Sequence, residues 1–296
     1  MESPDSMPNY DSDTASEERP SSQSANTKIQ ANFQMAQPPP KSSQLFRLSP
    51  KLLLQIQQLS PNHRKVPVLE IWQPSLRKSK LTKCFPQRPK LGTKDIYATL
   101  NEPYITNQQQ QRQGQLQEQD TKSSSTQDIQ DRDIVAAMCQ LQTNNNSKSM
   151  PSIHFRASKC IWQASTTSAG PEKSICYRFV IIREETTAAP EQGRMIMQWE
   201  KRAVSANGNG ASGCPDSEHF VLLAIDRKAR RKSRIATMTP GGLEITVRKS
   251  SILDHLRTCW AFTEPVSDNS ADLETWLYTL VLTLGVSVAS QEGWLG

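Results

Sequence analysis

Six cationic side chains crowd the nine residues DRKARRKSR, from Asp226 to Arg234: Arg227, Lys228, Arg230, Arg231, Lys232 and Arg234. Guanidinium and ammonium groups at this density suit anionic ligands, because each presents several donors to phosphate or carboxylate oxygens. A second, looser cluster lies in RKSKLTKCFPQRPK and holds Arg77, Lys78, Lys80, Lys83, Arg88 and Lys90. It belongs to a wider basic stretch. Between Lys41 and Lys94 there are 12 Lys or Arg and one acid, Glu70, a net of 12 − 1 = +11. Residues 1–30 carry six acids against two bases, and the whole chain has a formal net charge of +6.

Other chemistry is poorly provided for. The six cysteines (Cys84, Cys139, Cys160, Cys176, Cys214 and Cys259) contain no CxxC pair, and the four histidines do not cluster with them. Reduced, mostly buried thiols are therefore expected, with no metal and no cofactor. GxSxG, HExxH, GxGxxG and GxxxxGK[ST] are all absent, and NGNGASG has no helix pattern after it. A non-enzymatic chain is expected. Its N-terminus, MESPDSMPNYDSDTASEERPSS, lacks the basic and apolar regions of a secretory signal, so cytoplasm and/or nucleus is the expected location.

The elements that would hold these clusters divide the chain. Residues 1–44 read as a disordered acidic and polar tail, and 45–105 as a basic segment. In LSPKLLLQIQQL, Ser49-Pro50 suits a helix start, and Leu52, Leu53, Ile56 and Leu59 fall on one helical face. A short helix over 50–59 follows, marginal alone and in need of a partner surface. VPVLEIW reads as a short extended segment. Residues 106–149 read as a Gln/Ser-rich low-complexity linker, with a helical turn or two in DRDIVAAMCQLQTNNN.

From residue 150 to 296 the composition becomes that of an α+β domain. ICYRFVII, RMIMQW, FVLLAI, RIATM and GLEITVR are short β-type runs, and IHFRASKCIWQA adds one or two. In GLEITVR, Leu243, Ile245 and Val247 alternate with Glu244, Thr246 and Arg248. The basic run at 226–234 joins two of these strands, so the hairpin would hold its charges rigidly for several phosphates. Solvation of a β-turn is the competing reading of the same charges. SILDHLRTCWAF places Ile252, Leu253, Leu256 and Trp260 at helical spacing.

The last uncharged run, TWLYTLVLTLGVSVASQ (Thr275–Gln291), has 17 residues, at the bottom of the membrane-spanning range. Its flanks are acidic and lack the basic residues of a tail anchor. Thr275, Thr279, Thr283 and Ser287 form a narrow polar stripe, with Leu277, Leu280, Val281, Leu284 and Val288 around it. The pattern predicts a helix over about 272–290, buried in a protein core, and no transmembrane segment.

RIATMTPGGLEITV followed by LYTLVLTLGVSVASQEGW resembles the tubby and phospholipid-scramblase type of domain, in which an apolar C-terminal helix threads a β-barrel. That barrel has twelve strands, whereas six or seven can be named here, a number closer to a pleckstrin-homology-like sheet. The layout is also similar to that of fungal sequences carrying LSPKLLLQIQQL-like segments. Both families bind phosphoinositides or membranes in many members. The expected fold is thus α+β: a long disordered N-terminal half, then a curled antiparallel sheet or small barrel packed on the C-terminal helix. The expected function is a binding or adaptor protein contacting anionic lipid head groups through the 227–234 hairpin. The alternative is a nuclear regulatory protein using 41–94 for import or nucleic-acid contact.

Overall fold

A computed structural model describes residues 28–38, 50–60, 64–75, 79–80, 85, 90–101, 134–140, 151–156, 161–169, 174–182, 196–202, 218–226, 230–248 and 270–295. The first strand, β1 (Lys28–Ala36), alternates Ile29, Ala31 and Phe33 inward with Lys28, Gln30 and Asn32 outward. It pairs on one side with the last strand, β14 (Gly242–Arg248), where Ile29, Ala31 and Phe33 stand opposite Val247, Ile245 and Leu243. On its other side lies β2 (Lys51–Leu59). The ring continues through β3 (Lys65–Gln73), β6 (Ile96–Leu100), β7 (Ile134–Gln140), β8 (Pro151–Phe155) and β9 (Ile161–Ala169). It then runs through β10 (Ser174–Ile182), β11 (Ile196–Arg202), β12 (His219–Asp226) and β13 (Arg231–Thr239) back to β14. All of these pairings are antiparallel, and the twelve strands close a barrel. Two short strands, β4 (Ser79–Lys80) and β5 (Lys90–Leu91), form a separate pair.

This architecture corrects the expected fold. The N-terminal half is not uniformly disordered, since β1, β2, β3, β6 and β7 all precede residue 150 and supply five of the twelve barrel strands. Nor is the barrel small, or built on 150–296 alone. The segment 50–59 is a strand and not a helix. Register shifts between Leu52 and Leu54 and between Ile56 and Gln57 insert extra residues, and such bulges turn a two-residue period into a helix-like spacing. Beyond the shift, Leu54 and Ile56 are buried while Gln55 and Gln57 are half-exposed, as alternation requires. DRDIVAAMCQ likewise holds a strand, β7, and not a helical turn.

The barrel interior is filled by α1 (Ser270–Gln291), two residues longer at its start and one at its end than expected. Leu277, Leu280, Val281, Leu282, Leu284, Val286 and Val288 are fully buried, as an element enclosed on every side requires. Among the described residues no helix is long and apolar enough to cross a membrane. Small residues set how closely helix and wall approach. A Cβ at Gly285 would lie 3.0 Å from Leu243 Cδ1 and 3.2 Å from Met238 Sδ. The polar stripe is enclosed too: Thr279 Oγ1 donates to Thr275 O at 2.9 Å, while Thr283 Oγ1 is buried without a partner. An unsatisfied buried hydroxyl costs about 1–3 kcal/mol, which the surrounding apolar burial must offset.

The helix stops through a glycine. Gly293 takes φ 76°, its N–H reaches Ser290 O at 3.4 Å, and the Trp294 N–H reaches Ala289 O at 2.8 Å. This pair of bonds is a Schellman cap, and it lands Trp294 on Phe220 with ring centroids 5.6 Å apart.

A second apolar cluster lies on the outer face of β6 and β7. Phe85 and Leu91 cover Tyr97, Ala137 and Cys139, with half-buried Trp72 at the edge. Trp72 Nε1 donates to Thr99 Oγ1 at 3.2 Å, so this stretch of wall is packed on both sides.

Candidate functional site

The strands β12 and β13 form a hairpin because FVLLAI and RIATM both carry apolar side chains to the core, among them Phe220, Leu222 and Ala236. The ladder runs to the turn itself, pairing Ile225 with Lys232 and Asp226 with Arg231. A register shift between Leu222 and Leu223 kinks the strand pair on the barrel side of the turn. Arg230, in the turn, adopts φ 52°, a left-handed conformation unusual for a residue with a side chain. Arg230, Arg231, Lys232 and Arg234 are all exposed. Arg234 Nη2 donates to Thr237 Oγ1 at 3.4 Å, and no ion pair joins these four to a described residue. Arg227 and Lys228 lie outside the described residues.

The hairpin sits at the end of the barrel where the helix begins. Trp276, in the second turn of α1, packs on Phe155, the last residue of β8, with centroids 5.8 Å apart. The opposite end receives Trp294 and carries most of the described ion pairing. There Tyr177 Oη donates to Glu292 Oε1 at 2.5 Å, and Lys201 Nζ lies 3.3 Å from Glu292 Oε2 and 2.7 Å from Glu218 Oε2. Burial, then the hydrogen bond to Glu292, drives the Tyr177 hydroxyl pKa above its usual range. The hydrogen bond to Glu218 leads in raising that of Lys201, against a smaller opposing effect of burial.

These groups fasten the exit of the helix. Both bind their protons more tightly in the folded state, so their contribution is complete below the unfolded values of 10.0 and 10.5 and is lost as pH rises through the higher folded values. Urea unfolding should therefore show a fall in stability above about pH 10. Glu292→Gln should flatten that fall while lowering stability at neutral pH. An unchanged alkaline limb in the variant would show that Glu292 does not hold this end.

The second cluster of basic residues is not assembled in the same way. Arg77, Lys78, Lys83 and Arg88 lie outside the described residues, and Lys80 pairs with Lys90 in the backbone of β4 and β5. The partner-binding helix expected at 50–59 is replaced by a barrel strand, so it presents no separate surface. The helical spacing at 251–262 also lies outside the described residues.

Sequence reading passed over the buried polar groups near the β6–β7 edge. Asp95 accepts from the backbone N–H of Gly92 at 2.5 Å and of Gln140 at 2.8 Å, tying the approach to β6 to the end of β7. Beside it, burial pushes the Cys139 thiol up to about 12, with the Asp95 charge adding to the effect. Such a thiol stays protonated and is no nucleophile. Ser152 Oγ and His154 Nε2 are 3.1 Å apart, both buried. Cys139 and Cys176 are both buried. Among the described residues no three His, Cys, Asp or Glu side chains converge to hold a metal ion.

No family model, curated protein or solved structure matches the chain.

Proposed function

We propose that this protein is a binding or adaptor module that contacts an anionic surface through the β12–β13 hairpin. The observation that carries this reading is the exposed set Arg230, Arg231, Lys232 and Arg234 on a turn whose strands are fixed in the barrel wall. Rigid placement reduces the ordering cost of gripping several phosphates at once. The likeness to the tubby and scramblase type of domain supports the same reading, since twelve barrel strands around a C-terminal helix is the arrangement it implies.

Changing Arg230, Arg231 and Lys232 together to Glu tests it. Binding to anionic vesicles at low salt should be lost, because each cation near such a surface contributes about 1 kcal/mol of attraction. The thermal midpoint should hardly move, since exposed ion pairs contribute at most about 1 kcal/mol to stability. A wild-type protein indifferent to anionic vesicles would overturn the proposal and direct attention to the 41–94 segment and a nuclear role.

A further inference from the structure

We propose that the acidic segment ahead of β1, residues 1–27, is the hairpin's own occupant: a tethered acidic peptide that binds Arg230, Arg231, Lys232 and Arg234 and competes with any outside anion. This regulatory contact deepens the anionic-surface reading and rests on it in taking the hairpin as an anion-binding site. Residues 1–27 lie outside the described residues, but their point of attachment does not. Lys28, exposed at the start of β1, pairs with Arg248 at the end of β14, and β14 pairs in turn with β13. Because β13 turns into β14 between Thr239 and Gly242, the first residues of β13 and the last of β14 share one end of the barrel. The acidic segment therefore joins the ring at the hairpin end, two strands from the hairpin.

Two strand steps of about 4.8 Å make roughly 10 Å around the rim, and the three residues from Arg234 to Arg231 add about 10 Å along the strand. Glu18 stands 28 − 18 = 10 residues before Lys28, a length of chain that spans up to about 34 Å. Glu17 and Glu18 thus reach the whole turn with slack, and the acids before them reach further.

The charges are complementary. Residues 1–27 hold Glu2, Asp5, Asp11, Asp13, Glu17 and Glu18 against Arg19, a net of 1 − 6 = −5. The described acids near the turn are engaged elsewhere. Asp226 is half-buried with a contact of its own, Glu244 accepts from Gln30 Nε2 at 3.4 Å and Thr246 Oγ1 at 3.3 Å, and Glu274 accepts from Tyr278 Oη at 2.5 Å. Arg64 and Lys65 are also exposed, two strands away on the other side of β1, but they offer two charges where the hairpin offers four within five residues. Tethering supplies the affinity that a few exposed ion pairs lack. At an effective concentration of about 1 mM, an untethered dissociation constant of about 0.1 mM leaves the hairpin free about one-tenth of the time. An outside anion then binds about tenfold more weakly than the hairpin alone would allow.

The test uses the full chain at high dilution and a neutral-tail variant in which all six acids become the matching amides, Glu to Gln and Asp to Asn. Zero-length carbodiimide cross-linking of the wild type should join the 1–27 segment to Lys232 within one molecule, and the product should vanish at about 0.5 M salt. The combined variant Arg230→Gln, Arg231→Gln, Arg234→Gln keeps the Lys232 amine and should lose the product as well. If that variant misfolds, Arg230→Gln and Arg234→Gln alone take its place, each with a partial loss of the product. The neutral-tail variant should bind vesicles of phosphatidylcholine and phosphatidylserine about tenfold more tightly than the wild type. Cross-links to Lys65 in place of Lys232, or products that form only between two molecules, would overturn the tethered occupant. Equal vesicle binding by the two proteins would overturn the competition and leave the anionic-surface reading standing. A Lys232 product with neither protein binding vesicles would uphold the tail contact and overturn an anionic surface as the outside ligand.

Discussion

Leu280→Asp should leave no folded protein. Leu280 is fully buried on a helix that the barrel surrounds, with Leu277, Val281 and Leu284 equally enclosed near it. A carboxylate there has neither water nor a cationic partner. Burying an uncompensated charge costs several kcal/mol or forces the acid to remain protonated. Losing the leucine adds about 2–5 kcal/mol, as a truncation to Ala would. Together these approach or exceed a typical total stability of about 5–15 kcal/mol. Leu280→Ala should retain the fold with a reduced denaturation midpoint, and the aspartate should be insoluble or unfolded by circular dichroism. If Leu280→Asp gave a soluble protein with the wild-type midpoint, the helix could not lie inside the barrel.

The fragment 150–296 should also fail to fold, for a different reason. It keeps β8 to β14 and the helix but loses β1, β2, β3, β6 and β7. The ring then opens between β14 and β8, leaving two long unpaired edges. One side of the helix loses its cover, including the edge-to-face contact of Phe33 with Tyr278 at 5.4 Å and the apolar groups of Leu54, Ile56, Leu69 and Ile71. Expression of 150–296 should give aggregate, and a chain starting shortly before Lys28 should be soluble with a cooperative thermal transition. A monodisperse 150–296 fragment with strand-type circular dichroism would mean that the N-terminal strands are dispensable.

The strands β8 to β14 were legible because their apolar runs are dense. GLEITVR alternates as read, with Leu243, Ile245 and Val247 in the core. The buried helix was legible from its length and acidic flanks. Of the five earlier strands, β3 was legible in VPVLEIW as an extended segment, whereas β1, β2 and β7 were hidden by separate physical causes. KIQANFQMA alternates, but its inward Ala31 is small and its surroundings are polar and acidic. The bulges in β2 counterfeit a helical period. IVAAMCQ is buried on both faces, because Phe85 and Leu91 cover its outside, so it shows no alternation to read. The basic density of 41–94 suggested a solvated segment, whereas Arg64 and Lys65 sit at a turn, where charge is compatible with a packed strand on either side. The hairpin at 226–234 was read correctly as a strand connection.

Closure of the ring by β1 is the central structural claim, and hydrogen exchange of the native protein tests it most directly. Amides of residues 28–36 should exchange as slowly as those of their partner strand 242–248, because the same ladder protects both. Protection of the two peptides should also be lost together as denaturant is added. Complete exchange of residues 28–36 at the earliest time point, with 242–248 still protected, would contradict a barrel closed by its first strand.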